Sequence, residues 1–201
     1  MEYCIPGLET ERLLLRPFEK SDLNDFFDCC KNPHLGDNAG WMPHRTIEES
    51  EAILNEVFIG QPGMWAIVSL EDNRLIGSIG LIKDPLRNYH SSKMMGYWLH
   101  EDYWGRGLIS EAVEAVLYFG FEQLELNLIT INCYPHNARS LRVIERFGFT
   151  YEGTLHQADE LYDGRVLDLQ CFFLTRKEYF ESVPIDRICL FYSFPKHPAT
   201  G

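Results

Sequence analysis

The stretch that decides the fold spans residues 96–112 and reads Gly96-Tyr97-Trp98-Leu99-His100-Glu101-Asp102-Tyr103-Trp104-Gly105-Arg106-Gly107-Leu108-Ile109-Ser110-Glu111-Ala112. An aromatic and apolar run predicts a strand over residues 94–99, and a loop with two glycines follows it. Apolar residues then recur from residue 108 at the spacing of a helix. The first N–H groups of such a helix lack intrahelical partners and carry partial positive charge. The stretch therefore predicts a site for a phosphorylated ligand.

Two common phosphate-binding motifs do not fit this loop. A Walker motif requires a Lys directly after its second glycine, where this chain has Leu108. A dinucleotide fingerprint requires a third glycine, and Ser110 occupies that position. An ordinary tight turn before a helix stays open as the simplest interpretation of Gly105 and Gly107.

The loop is more similar to the pyrophosphate loop of acyl-CoA-dependent N-acetyltransferases, R/Q-x-x-G-x-G/A in its general form. When this general form is aligned with the chain, its two variable end positions correspond to Trp104 and Ile109. The match to the general form is partial. The RimJ/RimL-type branch is closer, because Tyr-Trp-Gly-x-Gly-x-x-Ser/Thr-Glu-Ala is a common form there.

A second motif lies one predicted strand later, over residues 136–153. It resembles the pattern Asn-x-x-Ser-x-x-(apolar)-x-Glu-(Lys/Arg)-x-Gly-Phe of the GNAT superfamily of N-acetyltransferases. The opening motif at residues 9–17 and the closing motif at residues 163–168 and 172–179 resemble the same superfamily. With these four motifs in this order, the chain is identified as a member of its RimJ/RimL-type branch, over about residues 8–181.

Length and composition indicate one globular domain. The chain has 201 residues, of which 45% are hydrophobic and 24% charged. We expect a single domain over residues 1–201, with a core at about 8–181 and a C-terminal extension at 185–201. The formal net charge of −12 argues against nucleic-acid binding and is suited to attracting cationic amines.

The sequence also bears on location and metal binding. No apolar run approaches the roughly 18 residues of a membrane span, and the N-terminus lacks a signal-peptide pattern. We therefore expect a cytoplasmic protein without membrane contact. The six cysteines show no C-x-x-C spacing, which predicts reduced thiols and no metal site.

Periodicity and turn signals predict an antiparallel meander that follows two helices. The predicted strands cover residues 13–15, 64–69, 75–83, 94–99, 128–134, 149–156 and 165–175. The predicted helices cover residues 21–30, 47–58, 107–123 and about ten residues from Asn137, with a further short helix near residues 176–183. Residues 31–45 are predicted to be a loop because they contain Pro33, Gly36, Gly40 and Pro43.

The resemblance implies an α/β GNAT fold. Such a fold has a mixed, mostly antiparallel sheet of about seven strands and about four flanking helices. It also implies that the strand at residues 94–99 splays from the strand at 128–134, and that the V-shaped gap holds the pantetheine arm of acetyl-CoA.

The resemblance also assigns the residues that bind the cofactor. Backbone N–H groups of residues 96–99 would contact the arm or the acetyl carbonyl, those of residues 104–109 would hold the pyrophosphate, and Asn137 would contact a pantetheine amide. The predicted cofactor-binding residues are Tyr97, Trp98, Leu99, Trp104, Gly105, Arg106, Gly107, Leu108, Ile109 and Asn137. A plain N-capping role for Asn137 is compatible with cofactor contact.

Ser140 falls at the family position that is proposed to protonate the departing thiolate. Many relatives use a Tyr where this chain has Ile144. Ser140 is therefore the local candidate acid, alone or through water. It stays open that Ser140 only forms a backbone hydrogen bond in the first helical turn.

The base and the acceptor pocket are assigned in the same way. The RimL-like pattern places an acidic residue nineteen positions after the Ser, which is Asp159, and Glu160 is its neighbour. A solvated loop carboxylate is the alternative for Asp159. The histidines at 100, 136 and 156 are further candidate bases. Trp41 lies in a loop that borders the acceptor pocket in relatives, so it is a predicted pocket wall.

These residues predict an enzyme that moves an acetyl group from acetyl-CoA to a primary amine by direct attack in a ternary complex. A protein N-terminal amine and a small-molecule amine both stay open as acceptors, and a homodimer is one possible assembly. A CoA-binding sensor or scaffold domain without turnover is the alternative from another class. A nucleotide-binding oxidoreductase is a more distant one.

Overall fold

The computed structural model describes residues 5–182, and the predicted extension at residues 185–201 lies outside the described residues. Within that range the chain forms one eight-stranded sheet in the order β1-β2-β3-β4-β5-β6-β8-β7. The strands are β1 (Leu8–Glu9), β2 (Leu13–Arg16), β3 (Met64–Ser69), β4 (Leu75–Lys83), β5 (Ser92–Leu99), β6 (Leu128–Cys133), β7 (Thr150–Glu160) and β8 (Val166–Thr175). Only β5 and β6 pair in parallel. The predicted mixed, mostly antiparallel sheet is confirmed, with eight strands instead of about seven.

The described helices cover both faces of this sheet. They are α1 (Leu23–Cys30), α2 (Pro33–Ala39), α3 (Ile47–Ile53), α4 (Leu108–Tyr118), α5 (Ala138–Arg146) and α6 (Arg176–Ser182). Helices α3 and α4 each continue into a wider turn, at Leu54–Phe58 and Phe119–Gln123. The prediction of about four helices was low, because that number left out the short helices α2 and α6.

Helix α2 contradicts the loop that was predicted over residues 31–45. Asn32 accepts a hydrogen bond from the N–H of His34, and Pro33 occupies the first helical position. Gly40 ends the helix with a positive φ of 86°. A Pro at the start and a Gly at the end of a helix are the standard boundary signals. Two of the residues that suggested a loop, Pro33 and Gly40, therefore mark the two ends of a seven-residue helix.

The hydrophobic core lies in two layers on opposite faces of the sheet. On one face α4 packs Ala112, Val113 and Val116 against the strands, around the fully buried Trp65. On the other face α1 and the end of α3 pack around Trp98, with Phe26 and Phe58 against its ring. Trp98 therefore joins strand β5 to the helical layer that precedes the meander.

Strands β5 and β6 separate after a short parallel ladder. Their pairing runs from Ser92↔Leu128 to Met95↔Ile131 and ends there. Beyond that point β5 continues along β4 as far as Leu99, while β6 continues along β8 as far as Cys133. The two strands thus diverge inside the sheet, and the predicted V-shaped splay is confirmed.

We expect Gly77→Ala to lower the free energy of unfolding by roughly 1–3 kcal/mol, the usual cost of overpacking. A Cβ at Gly77 would lie 2.4 Å from the carbonyl oxygen of Trp98, so β5 would have to move. Urea denaturation measures the change.

Gly153→Ala is the matched control for this experiment. Gly153 is also a strand glycine, and a Cβ there would meet nothing within 4 Å. If the two variants unfolded at the same urea concentration, the close contact between β4 and the end of β5 would be contradicted.

Candidate active site

The glycine loop adopts the backbone that an anion site requires. Gly105 and Gly107 have φ values of 74° and 78°, a left-handed conformation that favours glycine. Gly107 is the residue before α4, and no side chain caps this helix. The first N–H groups of α4 are therefore unpaired and project toward the mouth of the splay.

An ion pair anchors this loop to the N-terminal strands. One carboxylate oxygen of Glu111 accepts hydrogen bonds from the Thr10 hydroxyl at 2.6 Å and from the backbone N–H of Arg12 at 2.8 Å. The other accepts from Nε of Arg12 at 2.7 Å. Arg12 also donates to the carbonyl oxygen of Arg106 at 3.0 Å, inside the loop. We call Arg12 and Glu111 the loop clamp.

The pKa of Glu111 reports the strength of these contacts. Burial acts to raise the pKa of this carboxyl, but the hydrogen bonds from Thr10 and Arg12 outweigh it and hold the pKa below its usual value. Glu111 is therefore ionised at neutral pH. The clamp is a charge-assisted contact, of the kind that is stronger than a neutral hydrogen bond.

Trp104 ties the end of β5 to helix α5. Its Nε1–H donates to the carbonyl oxygen of Leu99 at 2.7 Å. The guanidinium carbon of Arg139 lies 3.6 Å from the centre of its ring, in a cation–π contact. This side chain therefore positions the two elements between which the gap opens.

A first cavity of about 280 Å³ runs from the glycine loop into the splay. All predicted cofactor-binding residues line it except Arg106, whose guanidinium lies over the ring of Tyr103. Arg139, Arg142 and Arg146 line the side formed by α5. Within residues 5–182 none of these three pairs with a carboxylate, so their charges are available to a ligand.

A second cavity of about 340 Å³ lies on the other side of β5, between the sheet and α2. Trp41, the predicted pocket wall, lines it, and its ring packs edge-on against Trp98 with the centroids 5.9 Å apart. Tyr134 at the end of β6 also lines it. This second cavity begins where the first one ends.

The two cavities meet at a pair of hydroxyl groups. The Tyr97 and Ser140 hydroxyls are 2.9 Å apart, and both residues line both cavities. Asn137 begins α5 and accepts a hydrogen bond from the N–H of Ser140 at 3.1 Å, which fixes the serine. Burial raises the pKa of Tyr97 to about 12, so its hydroxyl is neutral at neutral pH. Ile144 is buried in the core and contributes no polar group.

Asp159 is not in a loop, as the sequence suggested, but in strand β7 beyond a bulge. Asp159 is exposed and lines neither cavity, but its carboxylate accepts a hydrogen bond of 2.5 Å from Tyr134, which lines the second cavity. The pKa of Tyr134 is raised by its burial and by this carboxylate. Gly40 lies against the pair, since a Cβ there would be 2.5 Å from the Tyr134 oxygen.

The remaining sequence candidates line neither cavity. Glu160 is exposed at the end of β7 and lines neither cavity. Of the histidines, His136 stacks on Tyr134 and His156 contacts Asp168, while His100 is near Asp28. None of the three lines a cavity.

Sequence reasoning missed the Tyr97 side chain, Tyr134, Arg146 and the contribution of α2. Tyr97 was selected only for its backbone N–H group. The position of Tyr134 at the end of a predicted strand, directly before Pro135, was the available signal for a side chain at the site. Nothing in the sequence indicates that Tyr134 reaches Asp159.

The residues from 12 to 150 match the family model described as the acetyltransferase (GNAT) domain. The chain belongs to the GNAT acetyltransferase family. The predicted GNAT fold and the predicted class of enzyme, an acyl-CoA-dependent N-acyltransferase, are therefore confirmed. Enzymes of this family in general use acetyl-CoA.

Individual relatives agree with this assignment. An uncharacterised N-acetyltransferase of Bacillus licheniformis, p20, is 28% identical over 176 residues, which cover 86% of this chain and 97% of the relative. The ribosomal-protein-serine acetyltransferase of Escherichia coli is 32% identical over 139 residues, which cover 67% of this chain and 76% of the relative. A GNAT-family acetyltransferase crystal structure from Bacillus anthracis superposes with a TM-score of 0.75, at 22% identity over 86% of this chain and all of that one.

Two negative findings concern the described residues. No helix of residues 5–182 is both long and apolar enough to cross a membrane. The same residues contain no group of three or more His, Cys, Asp or Glu side chains that could hold a metal ion.

We expect Glu111→Gln to weaken the binding of acetyl-CoA about tenfold, which corresponds to about 1.4 kcal/mol. Glutamine is close in size but loses the charge that holds Arg12, so the loop is no longer fixed before the ligand arrives. Calorimetric titration measures the affinity.

Glu71→Gln serves as the control, because Glu71 is exposed in the turn after β3. Urea denaturation of both variants separates loss of the loop geometry from loss of the fold. Equal affinities of the Glu111→Gln variant and the unmodified protein would contradict the role of the clamp.

Proposed function

We propose that this enzyme transfers an acetyl group from acetyl-CoA to a primary amine by direct attack in a ternary complex. The observation that carries the proposal is the meeting of two cavities at the Tyr97 and Ser140 hydroxyls, 2.9 Å apart. One cavity leads to the glycine loop and the other leads to Tyr134 and Asp159. A thioester from one side and an amine from the other would meet at this junction.

The first cavity would hold acetyl-CoA. The N–H groups of the loop at residues 104–109 would bind the pyrophosphate, together with the unpaired charges of Arg139, Arg142 and Arg146. In the splay, the N–H groups of β5 that face β6 have no strand partner and would bind the pantetheine arm and the acetyl carbonyl. Asn137, at the junction, would contact a pantetheine amide.

The hydroxyl pair would act as the acid. One hydroxyl donates to the other, so the accepting hydroxyl keeps a proton that can turn toward the sulfur. Tyr97 stays neutral because its pKa is about 12, and Ser140 is held by Asn137. In the proposed reaction the amine nitrogen bonds to the carbonyl carbon, the C–S bond breaks and the hydroxyl pair protonates the thiolate.

Asp159 would act as the base through Tyr134. The substrate ammonium must lose a proton before it attacks. Tyr134 donates to Asp159, so it can receive that proton while it passes its own to the carboxylate. The amine loses a second proton after attack, and that proton restores the hydroxyl pair. Trp41 would form a wall of the acceptor site, and Glu160 would lie at its rim.

The acceptor has two candidate sources. The Escherichia coli relative is named a ribosomal-protein-serine acetyltransferase, which favours a protein N-terminal amine. A small-molecule amine is the other source, because the second cavity, at about 340 Å³, has room for one. A cytoplasmic location and a homodimer remain predictions.

Calorimetric titration with acetyl-CoA, with NADH and ATP as controls, is the first test. We expect saturable binding of acetyl-CoA alone, since the loop lacks the Walker lysine and the third glycine of a dinucleotide site. Binding of NADH or ATP instead of any acyl-CoA would contradict the proposal.

Removing the proposed acid and base distinguishes an enzyme from a CoA-binding scaffold. We expect Ser140→Ala and Asp159→Asn each to lower kcat by about 100-fold, a typical effect of general acid–base catalysis, and to retain acetyl-CoA affinity. Thiol release measures the rate.

Asp163→Asn is the control for these two variants, because Asp163 lies in the turn of the same β7–β8 hairpin and lines neither cavity. An unmodified protein that binds acetyl-CoA but releases no thiol with any amine would favour the scaffold alternative.

A further inference from the structure

The second cavity has an unusual lining for a chain with a net charge of −12. None of the described residues that line it is charged. Aromatic and apolar residues, among them Trp41, Phe58, Trp98 and Met64, make up most of its lining, and the rest are uncharged polar residues. A charged group on a bound ligand would find no ion-pair partner here.

A strand glycine leaves a hollow on the sheet. Gly80 of β4 and Gly96 of β5 face each other across the ladder, and both line the cavity. A Cβ at Gly96 would meet nothing within 4 Å, so the space in front of it is open. At Gly80, by contrast, a Cβ would lie 2.5 Å from the sulfur of Met64, so Met64 fills that side. The room for a ligand body is therefore in front of Gly96.

One carboxylate, that of Asp159, contacts a residue of the cavity lining. Asp159 reaches the cavity through Tyr134, close to the junction with the first cavity. An ammonium group therefore has a counter-charge at the reacting end, and the rest of the ligand has none. Burying a charge without a partner costs several kcal/mol, so the lining selects against a second charged group.

We propose that the acceptor is a primary amine joined to an uncharged aromatic or branched aliphatic body, which occupies this hollow. The proposal rests on the proposed function and names its substrate class. Two sources share this chemistry, a free monoamine and a peptide whose first residue has an apolar side chain. Amines that carry a carboxylate, a phosphate or a second ammonium next to the body are poor acceptors.

Two sets of probes test the proposal. The free acceptors are 2-phenylethylamine, phenylalanine amide, phenylalanine and 1,4-diaminobutane. The peptides are Phe-Ala-Ala amide and Asp-Ala-Ala amide. We expect kcat/KM for the apolar members of each set to exceed that of the charged members at least tenfold. If only the peptide set or only the free set is acetylated, that result identifies the source.

Binding is measured separately from turnover. Trp41 and Trp98 line the cavity, so a bound body should change the tryptophan fluorescence of the protein without acetyl-CoA. We expect saturable changes with 2-phenylethylamine and not with 1,4-diaminobutane. This readout stands even if no acetyl transfer is found, so failure of the proposed function and failure of this inference are distinguishable.

One substitution should reverse the preference. Ile82 lines the cavity but is 37% exposed, so a charged side chain can be placed there without entering the core. We expect Ile82→Lys to raise the ratio of kcat/KM for phenylalanine to that for 2-phenylethylamine at least tenfold. Leu70→Lys is the control, because Leu70 is 45% exposed and does not line the cavity.

Charged acceptors used as well as apolar ones would overturn the inference and leave the acetyltransferase proposal intact. The inference would also be overturned if neither Ile82→Lys nor Leu70→Lys changed this ratio of kcat/KM values. The charge added at residue 82 would then lie outside the acceptor site.

Discussion

The divergence of β5 from β6 after Met95 and Ile131 is the constraint on which the rest of the structure depends. A backbone that leaves its ladder inside a sheet exposes N–H and C=O groups that need partners. The carbonyl oxygen of Leu99 finds one in Nε1 of Trp104. The other groups that face the gap are the natural partners of an extended, amide-bearing ligand.

The elements around the gap are held by contacts between segments that are distant in sequence. The loop clamp joins β2 to α4, Trp104 joins β5 to α5 through Arg139, and Tyr97 joins β5 to α5 through Ser140. These contacts set the position of the glycine loop before a ligand arrives, which lowers the entropic cost of binding. The first cavity would suit an anion even in an acidic chain, because arginines without carboxylate partners among the described residues line one side of it.

The sequence was sufficient to predict elements with strong periodicity and to recognise motifs that occur in a fixed order. Strands β3 and β4 have the predicted bounds, and the four motifs identified the family and the splay. Helix α2 was missed because Pro33 and Gly40 mark a helix boundary and a loop equally well when the helix is short. The Tyr97–Ser140 and Tyr134–Asp159 contacts could not be predicted, since they join residues 43 and 25 positions apart through a strand splay and a bulge. The uncharged lining of the second cavity arises from five strands and three helical segments, and no local pattern indicates it.

The central claim is that the two cavities form one reaction path through the Tyr97–Ser140 junction. A crystal structure with a bisubstrate analogue, in which the sulfur of CoA is joined through an acetamide to 2-phenylethylamine, tests it most directly. The account predicts the pyrophosphate at the glycine loop, the pantetheine arm between β5 and β6, the sulfur beside the two hydroxyls and the phenyl ring in front of Gly96. An analogue whose arm lay outside the gap, or whose phenyl ring remained in solvent, would contradict it.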